Sequence, residues 1–216
     1  MKKFLTGLVA TGAAVLLCAC QGQVNAKLDN SIGVATYENL GLIEQKPLGV
    51  GLVIDDSLKN ASTEVVASSI KYHMAVGDAL TARLMYALVL KFQRVQLLNA
   101  PVFPDGSPLD ALLVVKLKDL DATVKISPKW NTVATESSGW IEVEALLKDR
   151  NNQIVWVGTS RSQAEASQES IMVAGAQDAS AAMNSAIEAT VAKLVAQMAE
   201  SNSLHDFIAQ HHNNPS

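Results

Sequence analysis

Catalysis and metal binding draw on a short list of side chains, and this 216-residue chain uses them sparingly. Its four histidines are His73, His205, His211 and His212. His205 and His211 stand six apart, so they do not share a helix face as i, i+4 ligands would. No His-Glu-x-x-His motif or cysteine cluster accompanies them, and no metal or cofactor is expected. No serine sits in Gly-x-Ser-x-Gly, the strained turn that presents a hydrolase nucleophile, and no serine–lysine pair of the Ser-x-x-Lys type is expected. Gly49 and Gly51 give Gly-x-Gly without the later glycine or helix of a phosphate loop, so close backbone packing or a bulge is the expectation. Asp55-Asp56 resembles a carboxylate pair able to do acid–base work. Adjacent residues of an extended chain point opposite ways, however, and a turn is expected there. Glu142 and Glu144 share a strand face with Lys148, as a solvated surface would. Trp130, Trp140 and Trp156 form the one constellation suited to recognition, and Trp140 and Trp156 are expected to meet across a hairpin. Packing is the ordinary role for such residues. If exposed, Trp140, Glu142 and Trp156 make a partner or glycan platform. No catalytic residue is assigned, and the chain is expected to be non-enzymatic.

Both cysteines, Cys18 and Cys20, lie near the start. Met1-Lys2-Lys3 is cationic, and Phe4 to Leu17 carries no charge. That run is shorter than the roughly 20 apolar residues that span a bilayer core, and it suits the apolar region of a secretory leader. Leu17-Cys18-Ala19-Cys20 resembles the lipobox cut by lipoprotein signal peptidase. The resemblance implies a leader over 1–19, recognised through Leu17, Cys18 and Ala19. It also implies diacylglyceryl modification of Cys20 and a membrane as the first partner. Gln21 is not the aspartate that retains lipoproteins in the inner membrane, so by resemblance to sorting signals the outer membrane, facing the periplasm, is expected. The mature chain would then hold no free thiol for a disulfide, metal or nucleophile. Losing 1–19 removes two lysines and no acid, taking the formal charge from −4 to −6. A mildly acidic chain argues against nucleic acid.

The elements that would carry these residues follow from periodicity. Residues 20–46 are expected to be a lipidated tether, polar at first, with a strand over Ile32–Thr36 as the alternative. A single domain is expected over 47–212. Leu48–Asp55 reads as a buried strand and Glu64–Met74 as a second. Gly77–Phe92 is predicted helical, with Leu80, Leu84, Leu88 and Phe92 on one stripe. Val95–Leu98 is a short strand, and Asn99–Pro108 a loop. Leu112–Ile126, Val133–Lys148 and Gln153–Arg161 form an antiparallel meander, with a tight turn at Asn151-Asn152. Ala164–Ala174 reads as a loop. Asp178–Ala199 is the clearest helix, with Met183, Ile187, Val191, Leu194 and Met198 at helical spacing. Ser203 and Asp206 suggest a capping box for a last short helix bearing Leu204, Phe207, Ile208 and His211. Residues Asn213–Ser216 are expected to fray. The whole is an α+β fold, a mixed or antiparallel sheet with helices packed on one face.

Near the carboxyl end, Ala182-Met183-Asn184-Ser185-Ala186-Ile187 and Ser201-Asn202-Ser203-Leu204-His205-Asp206-Phe207-Ile208-Ala209-Gln210 resemble the YajG family of bacterial lipoproteins. Those proteins also begin with a lipobox and place a Ser-hydrophobic-His-acid-Phe-Ile segment after a long helix. The resemblance is sharp over about thirty residues, and it implies class and location without supplying catalytic residues. The expected partner is an envelope protein or glycan. The alternative is an accessory lipoprotein of an export or surface-polymer assembly system.

Overall fold

The computed structural model describes residues 23–28, 45–67, 70–170 and 175–213. The leader, with Leu17, Cys18, Ala19 and Cys20, lies outside them, as do the alternative strand at 32–36 and residues 214–216.

Strand β2 (Lys46–Ile54) is buried at six consecutive positions, as a central strand covered on both faces should be. It pairs in parallel with β5 (Phe92–Leu98) and β6 (Ala111–Pro128). Strands β6, β7 (Val133–Asp149) and β8 (Ile154–Ser170) continue as an antiparallel meander, giving a mixed five-stranded sheet in the order β5-β2-β6-β7-β8. A smaller sheet joins β1 (Gln23–Asn25), β4 (Ile70–Ala75) and β3 (Ser62–Ala67) in the order β1-β4-β3.

Helix α1 (Asp56–Lys59) follows β2, and Asp55 caps it: its carboxylate accepts from the Ser57 amide at 3.0 Å. The aspartate pair thus makes a turn, as expected. Helix α2 (Val76–Lys91) buries Leu80, Leu84 and Leu88, and α3 (Gly175–Ala199) buries Met183, Ile187, Val191, Leu194 and Met198. Helix α4 (Asn202–Asn213) adds Leu204, Phe207 and Ile208, and His211 stacks on Phe207 with ring centroids 4.2 Å apart. These side chains share one core with Val50, Leu52, Leu113, Val115, Ile141, Val143, Ala145 and Leu147. The α+β fold with helices on one face of the sheet is therefore the observed one.

Four details differ from the expectations. The strand expected over Glu64–Met74 is two strands in an antiparallel hairpin. Val65 and Ala67 are buried on odd positions, Tyr72 and Met74 on even ones, a change of phase that one straight strand cannot make. The loop expected from Ala164 is strand as far as Ser170, each residue paired with β7, and 171–174 lie outside the described residues. Its Ser, Gln and Glu residues have weak strand preference, which the partner strand overrides. The cap of α4 is Ser201, not Ser203: the Ser201 hydroxyl accepts from the Leu204 amide at 3.2 Å, which places Ser203 inside the first turn. Within the segment expected to be a tether, Gln23–Asn25 pair with β4 and Leu28 is buried in the core, so residues 23–28 belong to the fold.

Two contacts fix the helices over the sheet. Arg83 of α2 is buried and donates to the Asn184 backbone carbonyl at 2.7 Å and to its side-chain oxygen at 3.1 Å, joining α2 to α3. Lys193 and Gln197 of α3 donate to the carbonyls of Arg161 and Thr159, each at 3.0 Å. Strand β8 is a sheet edge, and an open edge recruits further strands. Here helix side chains occupy part of it.

Candidate functional site

The meander has one face under the helices and one face open, and register decides which residues meet on the open face. Counting outward from the turn at 129–132, Lys125 pairs with Glu136, Thr123 with Ser138 and Asp121 with Trp140. Across the next pair of strands, Glu136 meets Ser167, Ser138 meets Glu165, Trp140 meets Gln163 and Glu142 meets Arg161. Side chains on alternate positions of these long strands point the same way, so these rows stack into a polar strip. A right-handed sheet twist accumulates along seventeen-residue strands and dishes such a face.

The strip holds two adjoining concavities. One, of about 320 Å³, is lined by Thr123, Lys125, Glu136, Ser138, Glu165 and Ser167 among others. The second, of about 230 Å³, is lined by Asp121, Thr123, Ser138, Trp140, Arg161 and Gln163. Thr123 and Ser138 share a hydroxyl hydrogen bond of 2.8 Å at the junction. At the other end the Arg161 guanidinium lies over the Trp140 ring, 4.2 Å from its centroid, a favourable cation–π geometry. The Arg161 Nε stands 4.0 Å from the Glu142 carboxylate, so an acid and an aromatic ring orient the cation together.

Two cations, Lys125 and Arg161, therefore alternate with the carboxylates of Asp121, Glu136 and Glu165, with hydroxyls and an amide between them. Such a surface offers many donors and acceptors to a polar ligand. It holds no histidine or cysteine and no nucleophile set against a base. Among the described residues no group of three or more His, Cys, Asp or Glu side chains could hold a metal.

The tryptophan expectation needs correction. Trp156 pairs with Leu147 on the helix-covered face and is buried, while Trp140 stands on the open face opposite Gln163. They cannot meet, because Trp156 lies four residues beyond the Asn151-Asn152 turn and Trp140 lies eleven before it. Of the platform Trp140, Glu142 and Trp156, the structure brings together the first two and adds Arg161. Trp130, in the turn between β6 and β7, is fully exposed and does not pack.

Gly49 and Gly51 are sites of close approach. Leu98, Leu109 and Leu112 converge over Gly51, and Asp110 clamps Gly49 by donating its amide to the Gly49 carbonyl and accepting the Gly49 amide, each at 2.7 Å. His73 stands 4.0 Å from Glu64 on the small sheet. Contrary to the expectation, Ser68 and Lys71 do carry the Ser-x-x-Lys spacing of a serine–lysine pair. Ser68 lies outside the described residues, and Lys71 stands in register with Gln23 and Val66.

The far end of the strip is closed by Glu169 of β8, which accepts from Lys129 at 2.7 Å and from the Thr132 hydroxyl at 2.7 Å. The Lys129 hydrogen bond, then that of Thr132 and the charge of Lys129, hold the Glu169 carboxyl below the ordinary glutamate value. A carboxylate with a depressed folded value contributes above its unfolded value and loses that contribution as pH falls through the folded one. Carboxyl-detected NMR titration is expected to give Glu169 a midpoint below that of free glutamate. Lys129→Ala is expected to move it upward; an unchanged midpoint would remove the ion pair from the solution structure.

No family model matches the sequence, and no curated protein is similar to it. Among solved structures, one matches at a TM-score that shows a shared fold. A neuraminyllactose-binding hemagglutinin homologue from Helicobacter pylori matches with a TM-score of 0.50 at 10% identity, over 87% of this chain and 100% of that one. A protein from Xanthomonas campestris matches at 0.45 and 11% identity, over 90% of this chain and 99% of that one. A minor lipoprotein from Acinetobacter baumannii matches at 0.35 and 15% identity, over 68% and 88%. At such identities the likeness is one of architecture, and the Helicobacter pylori protein shares that architecture along its whole length.

Proposed function

We propose that the chain is a non-enzymatic lipoprotein of the cell envelope, anchored through Cys20 and binding another envelope component on the open face of its meander. Gln21, where inner-membrane lipoproteins carry aspartate, supports the outer membrane, facing the periplasm. The observation that carries the binding role is the strip from Lys125 to Glu142, where register gathers two cations, several carboxylates, hydroxyls and one aromatic ring into adjoining concavities. Surfaces this rich in donors and acceptors bind ligands that are themselves polar along their length. A glycan of the envelope is the first class to test. The name of the Helicobacter pylori structure points to a sugar ligand for that protein, and here it only guides the choice of probe.

The test is titration of the folded domain with soluble oligosaccharide fragments of the envelope, alongside photo-crosslinking in cells from position 142. Saturable binding is expected. Trp140→Ala is expected to weaken it at least tenfold, about 1.4 kcal/mol, with no fall in melting temperature, since Trp140 lies outside the core. Absence of saturable binding, with crosslinks spread over many products, would refute the proposal.

A further inference from the structure

The chain enters the small sheet at the end that carries Ala67 and Ile70. Strand β1 pairs Gln23 with Lys71, and Lys71 stands opposite Val66. After β1 the Ala26 amide bonds to the His73 carbonyl at 2.9 Å and Leu28 enters the core, so the segment is fixed at its carboxyl side. Only three residue steps separate Gln23 from Cys20. An extended chain covers at most about 3.6 Å per residue, so Gln23 lies within about 11 Å of the Cys20 backbone. Acyl chains on Cys20 must sit in hydrocarbon, which leaves this end of the sheet no room to stand away from the bilayer surface.

The residues at that end suit the position. Val66 is 55% exposed and Val24 is 45% exposed, although both are aliphatic. Val66 shares one face of that end with the cation Lys71, while Val24 and the half-buried Ile70 share the other face with Tyr72 and Ala67, so the four meet at the end of the sheet and not on one face. Aliphatic side chains with a neighbouring lysine fit the boundary between acyl chains and anionic headgroups. Glu64 stands one row further from the end on the same face as Val66, away from that boundary.

We infer that the rim formed by Val24, Val66, Ile70 and Lys71 lies against the membrane, fixing the orientation of the domain on its lipid anchor. The inference rests on the proposed lipidation of Cys20, and the experiment separates the two. The mature chain has no other cysteine, so single cysteines introduced as Val66→Cys or Ile154→Cys accept a nitroxide label specifically. The protein is purified with its lipid, its mass is measured, and it is placed in phosphatidylethanolamine–phosphatidylglycerol vesicles.

The Val66 label is expected to be several-fold more accessible to oxygen than to an aqueous nickel chelate. The Ile154 label, on an exposed residue of the other sheet, is expected to show the reverse. A ten-residue Gly-Ser insertion before Gln23 should leave the protein attached and turn the Val66 label aqueous. A verified lipidated protein whose Val66 label is as aqueous as its Ile154 label would overturn the orientation. A mass without lipid would overturn the anchor itself.

Discussion

Valine at position 139 will destabilise the domain by about 3 kcal/mol, the upper part of the range for overpacking a tight interior. Gly139 lies on the covered face of β7, between Ala122 and Ala164. A Cβ there would stand 3.0 Å from both the amide nitrogen and the Cα of Met183, and 3.3 Å from the carbonyl carbon of Ala182. Those are helix backbone atoms, which cannot rotate aside as a side-chain tip would. Ala179, Ala182 and Ala186 are buried on the same helix, so α3 is seated on the sheet through small residues. Alanine at 139 asks α3 to retreat by a few tenths of an ångström and should cost about 1 kcal/mol. Valine asks for more and will loosen the row next to the one that carries Trp140 on the opposite face. Urea denaturation measures both: the midpoint should fall from wild type to alanine to valine with little change in slope. A valine variant with the wild-type midpoint would mean that α3 does not approach β7 this closely.

The parts of this arrangement that were legible in the sequence are those with a period. Helix α3 announces itself because Met183, Ile187, Val191, Leu194 and Met198 repeat on one face, and α2 because Leu80, Leu84 and Leu88 do the same. The hairpin around Asn151-Asn152 has alternating flanks and a turn residue, Asn152, that takes a positive φ of 63°. The end of β8 has no such mark: Ala164 to Ser170 is small and polar, and only its ladder to β7 makes it a strand. Strand β1 is three residues long and pairs in parallel with a strand almost fifty residues away, which no local pattern reports. The polar strip is half legible. Trp140 and Glu142 were singled out by type and by a shared face, yet Arg161, Thr123 and Glu165 are unremarkable residues until register puts them beside one another. Counting from the Asn151-Asn152 turn puts Trp156 opposite Leu147 and on the buried face, so its place is written in the sequence.

Exported behind an ordinary cleavable leader with Cys20→Ser, the chain should leave the membrane fraction almost completely and appear in the periplasmic fluid. The lipidated form should resist high salt and come away only with detergent. The expected contrast is large because each buried methylene contributes about 0.8 kcal/mol, and two or more acyl chains make attachment stable where one is marginal. Among the described residues no helix is long and apolar enough to cross a membrane. Stability should not change, because Cys20 precedes β1 and the core begins at Leu28. The variant should therefore melt with the lipidated protein in detergent while partitioning oppositely. A Cys20→Ser protein that stays with membranes would show that attachment resides in the folded surface, and a native protein found free with an unmodified Cys20 would show that there is no anchor to lose.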